Sequence, residues 1–186
     1  WLAEFVQTAP ERRIGLACVP VFWDIDEAVR EIEWARANGL RGIILPPMWG
    51  AQAPYHHPRY DPVWAACQDT GTIIHFHSGP APTTDYFGAM PPEPGQVAMP
   101  GGVGIYITEV RWWSARPLWF LLWSGVFERH PNLKLVMTEQ GCTWILETLH
   151  MFERQYDMPL FKYFHADLSL RPTEYFQRQC YLGASM

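Results

Sequence analysis

Several features are missing from the 186-residue sequence, and each absence removes a class of function. There is no run of Lys or Arg. The 14 basic and 19 acidic residues scatter along the chain for a formal net charge of −5, so a nucleic-acid backbone has no electrostatic footprint to bind. No apolar stretch approaches the roughly 20 residues that a membrane span requires. The richest one, residues 117–127, is followed at once by Glu128, Arg129 and His130. The cysteines Cys18, Cys67, Cys142 and Cys180 stand far apart without CxxC spacing, which favours buried reduced thiols in a cytoplasmic protein over disulfides. No Gly-x-Ser-x-Gly elbow occurs and no motif marks a cysteine nucleophile, so covalent acyl transfer lacks support.

What is present is an apolar chain with a regular beat. At 48% hydrophobic residues the sequence supports one sizeable core and a single domain over residues 1–186. Residues 14–21 read as a buried strand. Asp24 and Glu27 then have capping-box spacing, and Ile25, Ala28, Val29, Ile32 and Ala35 recur at helical intervals up to Asn38 and Gly39. The unit repeats: strand 41–45, a helix opened by Asp61 and Pro62, strand 72–77, helix 108–129 with a break at Pro117, strand 133–139, helix 143–156, helix 172–179 and strand 180–185. Five strands, each separated from the next by a helix, predict a parallel sheet covered by helices. No Gly-rich phosphate-binding turn follows the first strand, which weakens the open dinucleotide-binding sheet. The expected fold is α/β: an incomplete (β/α)8 TIM-barrel-like domain of about five strand-helix units. The chain starts at Trp1 without a targeting pattern and stops just past a strand, and both ends read as internal to a longer protein.

Residues 78–106 break the beat. They are crowded with proline and glycine and follow the C-terminal end of a strand, where barrel enzymes build their sites, so the stretch reads as a lid. The same rim collects the residues suited to chemistry. His75 and His77, two apart on a strand, share a face, and an inward imidazole at the rim is placed to bind a metal. A buried histidine with a hydrogen-bond partner explains His-x-His equally well. Leu135, Met137 and Glu139 also share a face by alternation, which would aim the Glu139 carboxylate inward. A helix-capping Glu139 is the simpler alternative, but an inward carboxylate at the end of an apolar strand needs a partner. Trp49 follows a strand end and is a candidate substrate contact beside His75. His130 and His150 read as structural; His56, His57 and His165 read as exposed loop residues.

Four ordered segments carry a family resemblance: 60–64 (Tyr-Asp-Pro-Val-Trp), 73–79 (Ile-Ile-His-Phe-His-Ser-Gly), 127–135 (Phe-Glu-Arg-His-Pro-Asn-Leu-Lys-Leu) and 171–176 (Arg-Pro-Thr-Glu-Tyr-Phe). Together the chain resembles the amidohydrolase-related family, which includes aminocarboxymuconate-semialdehyde decarboxylase and aromatic-acid decarboxylases. The resemblance implies one divalent metal, zinc or alternatively manganese, held by a first-strand His-x-His or Glu-x-His, a middle-strand histidine and a late aspartate. His77 matches the middle-strand ligand, and the other ligands fall outside residues 1–186. The family's decarboxylases carry a catalytic histidine in a His-Gly-Gly-like turn where this sequence has Glu139, Gln140 and Gly141. Glu139 is therefore the candidate proton-transfer group. The implied activity is hydrolysis of a small carboxylate- or carbonyl-bearing substrate by metal-activated water. Metal-dependent decarboxylation is the alternative, and a catalytically inactive fragment is a second one. A small-molecule substrate and a homo-oligomer are expected, with neither nucleic acid nor membrane as partner.

Overall fold

The apolar runs pair side by side in one parallel sheet whose spatial order is β1-β2-β3-β4-β5. The computed structural model describes residues 1–79, 81, 83–87, 101–160, 163 and 167–183. In chain order the elements are α1 Leu2–Gln7, β1 Leu16–Cys18, α2 Ile25–Ala37, β2 Gly42–Leu45, a 3-10 turn Pro58–Tyr60, α3 Asp61–Thr70, β3 Ile73–His77, α4 Thr83–Phe87, α5 Gly102–Trp123, α6 Val126–Arg129, β4 Leu135–Thr138, α7 Ile145–Asp157, α8 Pro172–Gln179 and β5 Cys180–Leu182. A doubly wound sheet reverses its strand order at a switch point. Here every strand lies beside its predecessor, as in a barrel wall.

Local signals place the helices. The Asp24 side chain accepts the Glu27 amide at 2.9 Å and starts α2. Gly71, left-handed at φ 66°, lets the chain leave α3 and enter β3 within two residues. The two faces of the sheet then have different fates. Ile43, Leu45, Ile74, Phe76, Leu135, Met137 and Cys180 point to one face and are buried against Ile32 of α2, Trp64 of α3, Leu118 and Leu121 of α5, Phe152 of α7 and Tyr175 of α8. The register aligns Ile44 with His75, His75 with Val136 and His77 with Thr138 on the opposite face. That inner face is partly exposed and contributes nothing to the main core.

Some expectations need correction. The helix expected to break at Pro117 runs unbroken from Gly102 to Trp123. Pro117 costs one amide donor, but Leu118, Leu121 and Leu122 just beyond it are fully buried, and that packing holds the next turn in place. Cys67 and Cys180 are buried as expected, whereas Cys18 and Cys142 are exposed; all four are free. The strand at 14–21 shrinks to three paired residues, the strand at 180–185 pairs over Cys180–Leu182 with residues 184 and 185 outside the described residues, and α1 adds a helix that the sequence pattern did not signal. Of the anticipated lid, α4 and the start of α5 are described, while residues 88–100 lie outside the described residues.

Two consequences follow for stability. Ile74→Ala, on the core face, is expected to lower unfolding free energy by about 2–5 kcal/mol, and Val136→Ala, on the inner face, by about 1 kcal/mol or less, as read by urea titration. The second concerns acid. The Glu128 carboxyl is held below its ordinary range first by the Tyr175 hydroxyl and then, against a partial desolvation cost, by Ser169. A carboxyl depressed in the folded state stabilises above its unfolded range, about 4.3, and loses that contribution as pH falls through the folded value. Melting temperature should therefore drop less steeply on acidification in Glu128→Gln than in the parent.

Candidate active site

Alternation along β3 sends Phe76 into the core and leaves His75 and His77 on the inner face near the C-terminal end of the strand. His75 pairs through Nδ1 with the Thr138 hydroxyl at 3.0 Å. Burial pushes its pKa down, so the ring stays neutral at pH 7. His77 sits one step closer to the rim, with Nδ1 2.5 Å from the Ser78 carbonyl oxygen. A carbonyl only accepts, so Nδ1 carries a proton and Nε2 is the ring nitrogen turned to the rim.

Glu139 reaches this face by an unexpected route. Leu135 and Met137 are buried in the helix-covered core, so plain alternation would carry Glu139 outward with them. The sequence reading that placed all three inward was one residue out of phase: Val136 and Thr138 are the inward pair. Glu139 lies beyond the strand at φ 58°, the one described non-glycine residue at positive φ, and its carboxylate turns back to His77. The Glu139 Oε2 to His77 Nε2 distance is 2.6 Å, with the side chains 55% and 33% exposed. A left-handed non-glycine residue costs roughly 1–2 kcal/mol, and a half-exposed ion pair returns about 1 kcal/mol or less. The contact therefore does not hold the turn.

The neighbours of Glu139 hold it. The buried Gln140 side chain donates to the Phe76 carbonyl at 3.0 Å, fastening the turn to β3. The Trp144 indole N–H in turn donates to the Gln140 carbonyl at 3.1 Å. Gly183 donates its amide to the Met137 carbonyl at 2.8 Å, and a Cβ there would lie 3.4 Å from the Glu139 nitrogen. Strained backbone persists where its surroundings over-determine it, and it gathers at functional sites.

The structure thus joins His77 to Glu139 and sets His75 beside them through Thr138. Trp49 is elsewhere: it packs edge-on against Tyr55 and Phe120 and carries the Arg116 guanidinium 4.5 Å above its ring. Among the described residues no hydrogen bond or ring contact links Trp49 to either histidine. His130 is buried and His150 exposed, His57 caps the 3-10 turn through Nδ1, and His165 lies outside the described residues. Sequence reasoning missed Thr138 and Gln140. The two-residue offset between His75 and His77, matched to β4 in register, could have pointed to Thr138; nothing in the pattern signals Gln140. For a metal, His77 Nε2 and the Glu139 carboxylate are the donors brought together, and no group of three His, Cys, Asp or Glu side chains converges among the described residues. No described helix is long and apolar enough to cross a membrane.

Comparison with known proteins bears on the family and the fold. The amidohydrolase family profile matches residues 1–179. Among solved structures, an amidohydrolase from Mycobacterium avium subsp. paratuberculosis shares 19% identity at a TM-score of 0.68, over 91% of this chain and 42% of its own. A 5-carboxyvanillate decarboxylase from Sphingomonas paucimobilis shares 24% at 0.67, over 97% of this chain and 51% of its own. A dihydroxybenzoic acid decarboxylase from Polaromonas sp. JS666, with bound manganese and the inhibitor 2-nitroresorcinol, shares 20% at 0.69, over 98% and 54%. No curated protein matches. The chain spans about half the length of these structures, and the likeness shows the fold: a TIM-type (β/α)8 barrel, incomplete here.

If the left-handed turn is strained as described, Glu139→Gly should be more stable than Glu139→Ala by about 1 kcal/mol, since both delete the carboxylate and only glycine adopts φ 58° without cost. Paired urea titrations measure the difference; equal midpoints would show that the turn carries no strain.

Proposed function

We propose, from the premise that this chain belongs to the amidohydrolase family, that the protein containing it is a metal-dependent carboxy-lyase acting on a small aromatic carboxylate. His77 would be a metal ligand and Glu139 the proton-transfer group. The observation that carries the reading is the 2.6 Å approach of His77 Nε2 to the Glu139 carboxylate beyond the ends of adjacent parallel strands. In a parallel barrel that rim is where catalytic groups sit. Support for decarboxylation over hydrolysis comes from the solved structures of similar fold, several of which are decarboxylases of aromatic acids.

The donor set fits a divalent cation. An Nδ1–H tied to a backbone carbonyl fixes the ring and leaves Nε2 free to coordinate, a common second-shell arrangement for a ligating histidine. Nε2 lies 2.6 Å from the Glu139 carboxylate, so one imidazole nitrogen and one carboxylate oxygen face the same point of the rim. An imidazole nitrogen with carboxylate oxygen suits manganese or zinc, and bound manganese in two of the similar structures favours manganese. His77 cannot fill a coordination shell alone, and the proposal takes the remaining ligands from barrel strands outside residues 1–186. Bound there, the ion supplies positive charge to a substrate carboxylate or hydroxyl oxygen.

The chain's own residues then do the following. Neutral His75, with Nδ1 committed to Thr138, keeps its other ring nitrogen for a substrate hydrogen bond. Glu139, in its acid form, delivers its proton to the ring carbon that bears the carboxylate. The carbon–carbon bond breaks, its electron pair stays on the ring to restore aromaticity, and carbon dioxide leaves. Glu139, now a carboxylate and 55% exposed, regains a proton from solvent.

Hydrolysis is the second reading, and the carboxylate at position 139 favours it. A glutamate beside a metal is a competent base for water, whereas the family's decarboxylases carry histidine in the corresponding turn.

The test uses the intact protein loaded with manganese and assayed for carbon dioxide release from 2,6-dihydroxybenzoate and 5-carboxyvanillate. Glu139→Gln should keep its metal and lose about 10²–10⁴-fold in kcat. His77→Ala should lose stoichiometric metal by elemental analysis. Full metal retention in His77→Ala would remove that residue from the site, and bond hydrolysis without carbon dioxide would select the second reading.

A further inference from the structure

The outer helical layer holds a cavity that the proposed reaction does not use. It lies between α5 and α7, has a volume of about 280 Å³, and is walled by Trp112, Trp119, Trp144 and Met151. Trp112 stands edge-on to Trp119 with ring centroids 6.2 Å apart and is 67% exposed, a large apolar surface to leave in water. Arg111 and Arg154 complete the lining. Neither makes a hydrogen bond or ion pair among the described residues. The hydroxyls present are already spent as donors: Thr108 gives its proton to the Gly104 carbonyl and Thr148 to the Trp144 carbonyl. Glu147 is the single acidic group of the lining, so the cavity carries a net positive charge.

This combination selects its ligand. Indole rings and a methionine lining one cavity receive a flat ring. The free donors are guanidinium groups, whose fork matches a carboxylate. We infer that the groove between α5 and α7 is a binding site for a small aromatic carboxylate, separate from the His77–Glu139 pair and on the opposite side of the sheet. Its walls belong to helices whose buried residues pack on the core face, whereas both site histidines lie on the inner face. Most pockets that bind small molecules share this make-up, an apolar lining with a few placed polar groups.

The probe is sodium benzoate, titrated calorimetrically into the intact protein. Benzoate also resembles a substrate of the proposed reaction, so variants separate the two places. Saturable binding is expected, weakened at least about tenfold in Arg111→Ala/Arg154→Ala and unchanged in His77→Ala. Binding that survives the double arginine change but vanishes in His77→Ala would put benzoate at the β3–β4 rim and overturn the inference. It would leave the reading of His77 intact, which depends on metal content. An absence of binding would overturn it too, as would self-association that Trp112→Glu abolishes in sedimentation while benzoate heat stays nil, for the groove would then be an interface between copies of this chain.

Discussion

Successive side chains on a strand leave on opposite faces, and this constraint decides whether the candidate site can exist at all. His77 lies on the inner face of β3 and Met137 on the core face of β4, so a residue two beyond Met137 should turn away from the histidine. The left-handed turn at Glu139 reverses that outcome. Gln140, clamped to the Phe76 carbonyl, and Gly183, close against the end of β4, fasten the reversed path on either side. The site is therefore a property of β3, β4 and β5 acting together: one supplies the ring, the next the carboxylate, and the last the close backbone that shapes the turn.

Much of this architecture was legible in the residues. Five apolar runs separated by amphipathic stretches gave the strand count, the parallel sheet and its sequential order. The Asp61–Pro62 start of α3 was read from capping chemistry, and helix 172–179 matches α8. His77 at the inner rim followed from the same period-two argument that failed at Glu139. It failed because alternation holds only while backbone dihedrals stay extended, and a glutamate gives no warning that it will adopt φ 58°. Pro117 misled for a comparable reason. A local rule against proline in helices was outweighed by the burial of Leu118, Leu121 and Leu122, which no local rule weighs. The exposure of Cys18 was likewise beyond local reading, since it depends on which face of the sheet the helices cover.

Family membership and local geometry speak to different scales. The profile match and the similar solved structures establish the barrel, at identities too low to transfer chemistry. The chemistry rests on one close contact between an imidazole whose far nitrogen is tied down and a carboxylate on a strained turn. Both features lie at the C-terminal rim of the sheet, where the proposed reaction is set.

The unequal treatment of the sheet's two faces has a bearing on how such a chain can change. Nearly all of the packing that holds the fold is on the helix-covered side, while the residues facing the other way are partly exposed and bonded mainly to one another. In a barrel whose remaining strands lie outside residues 1–186, that inner side is the surface those strands would line, so a substitution there answers to both halves of the barrel. The helix-covered side is the part of the inventory that this chain fixes by itself.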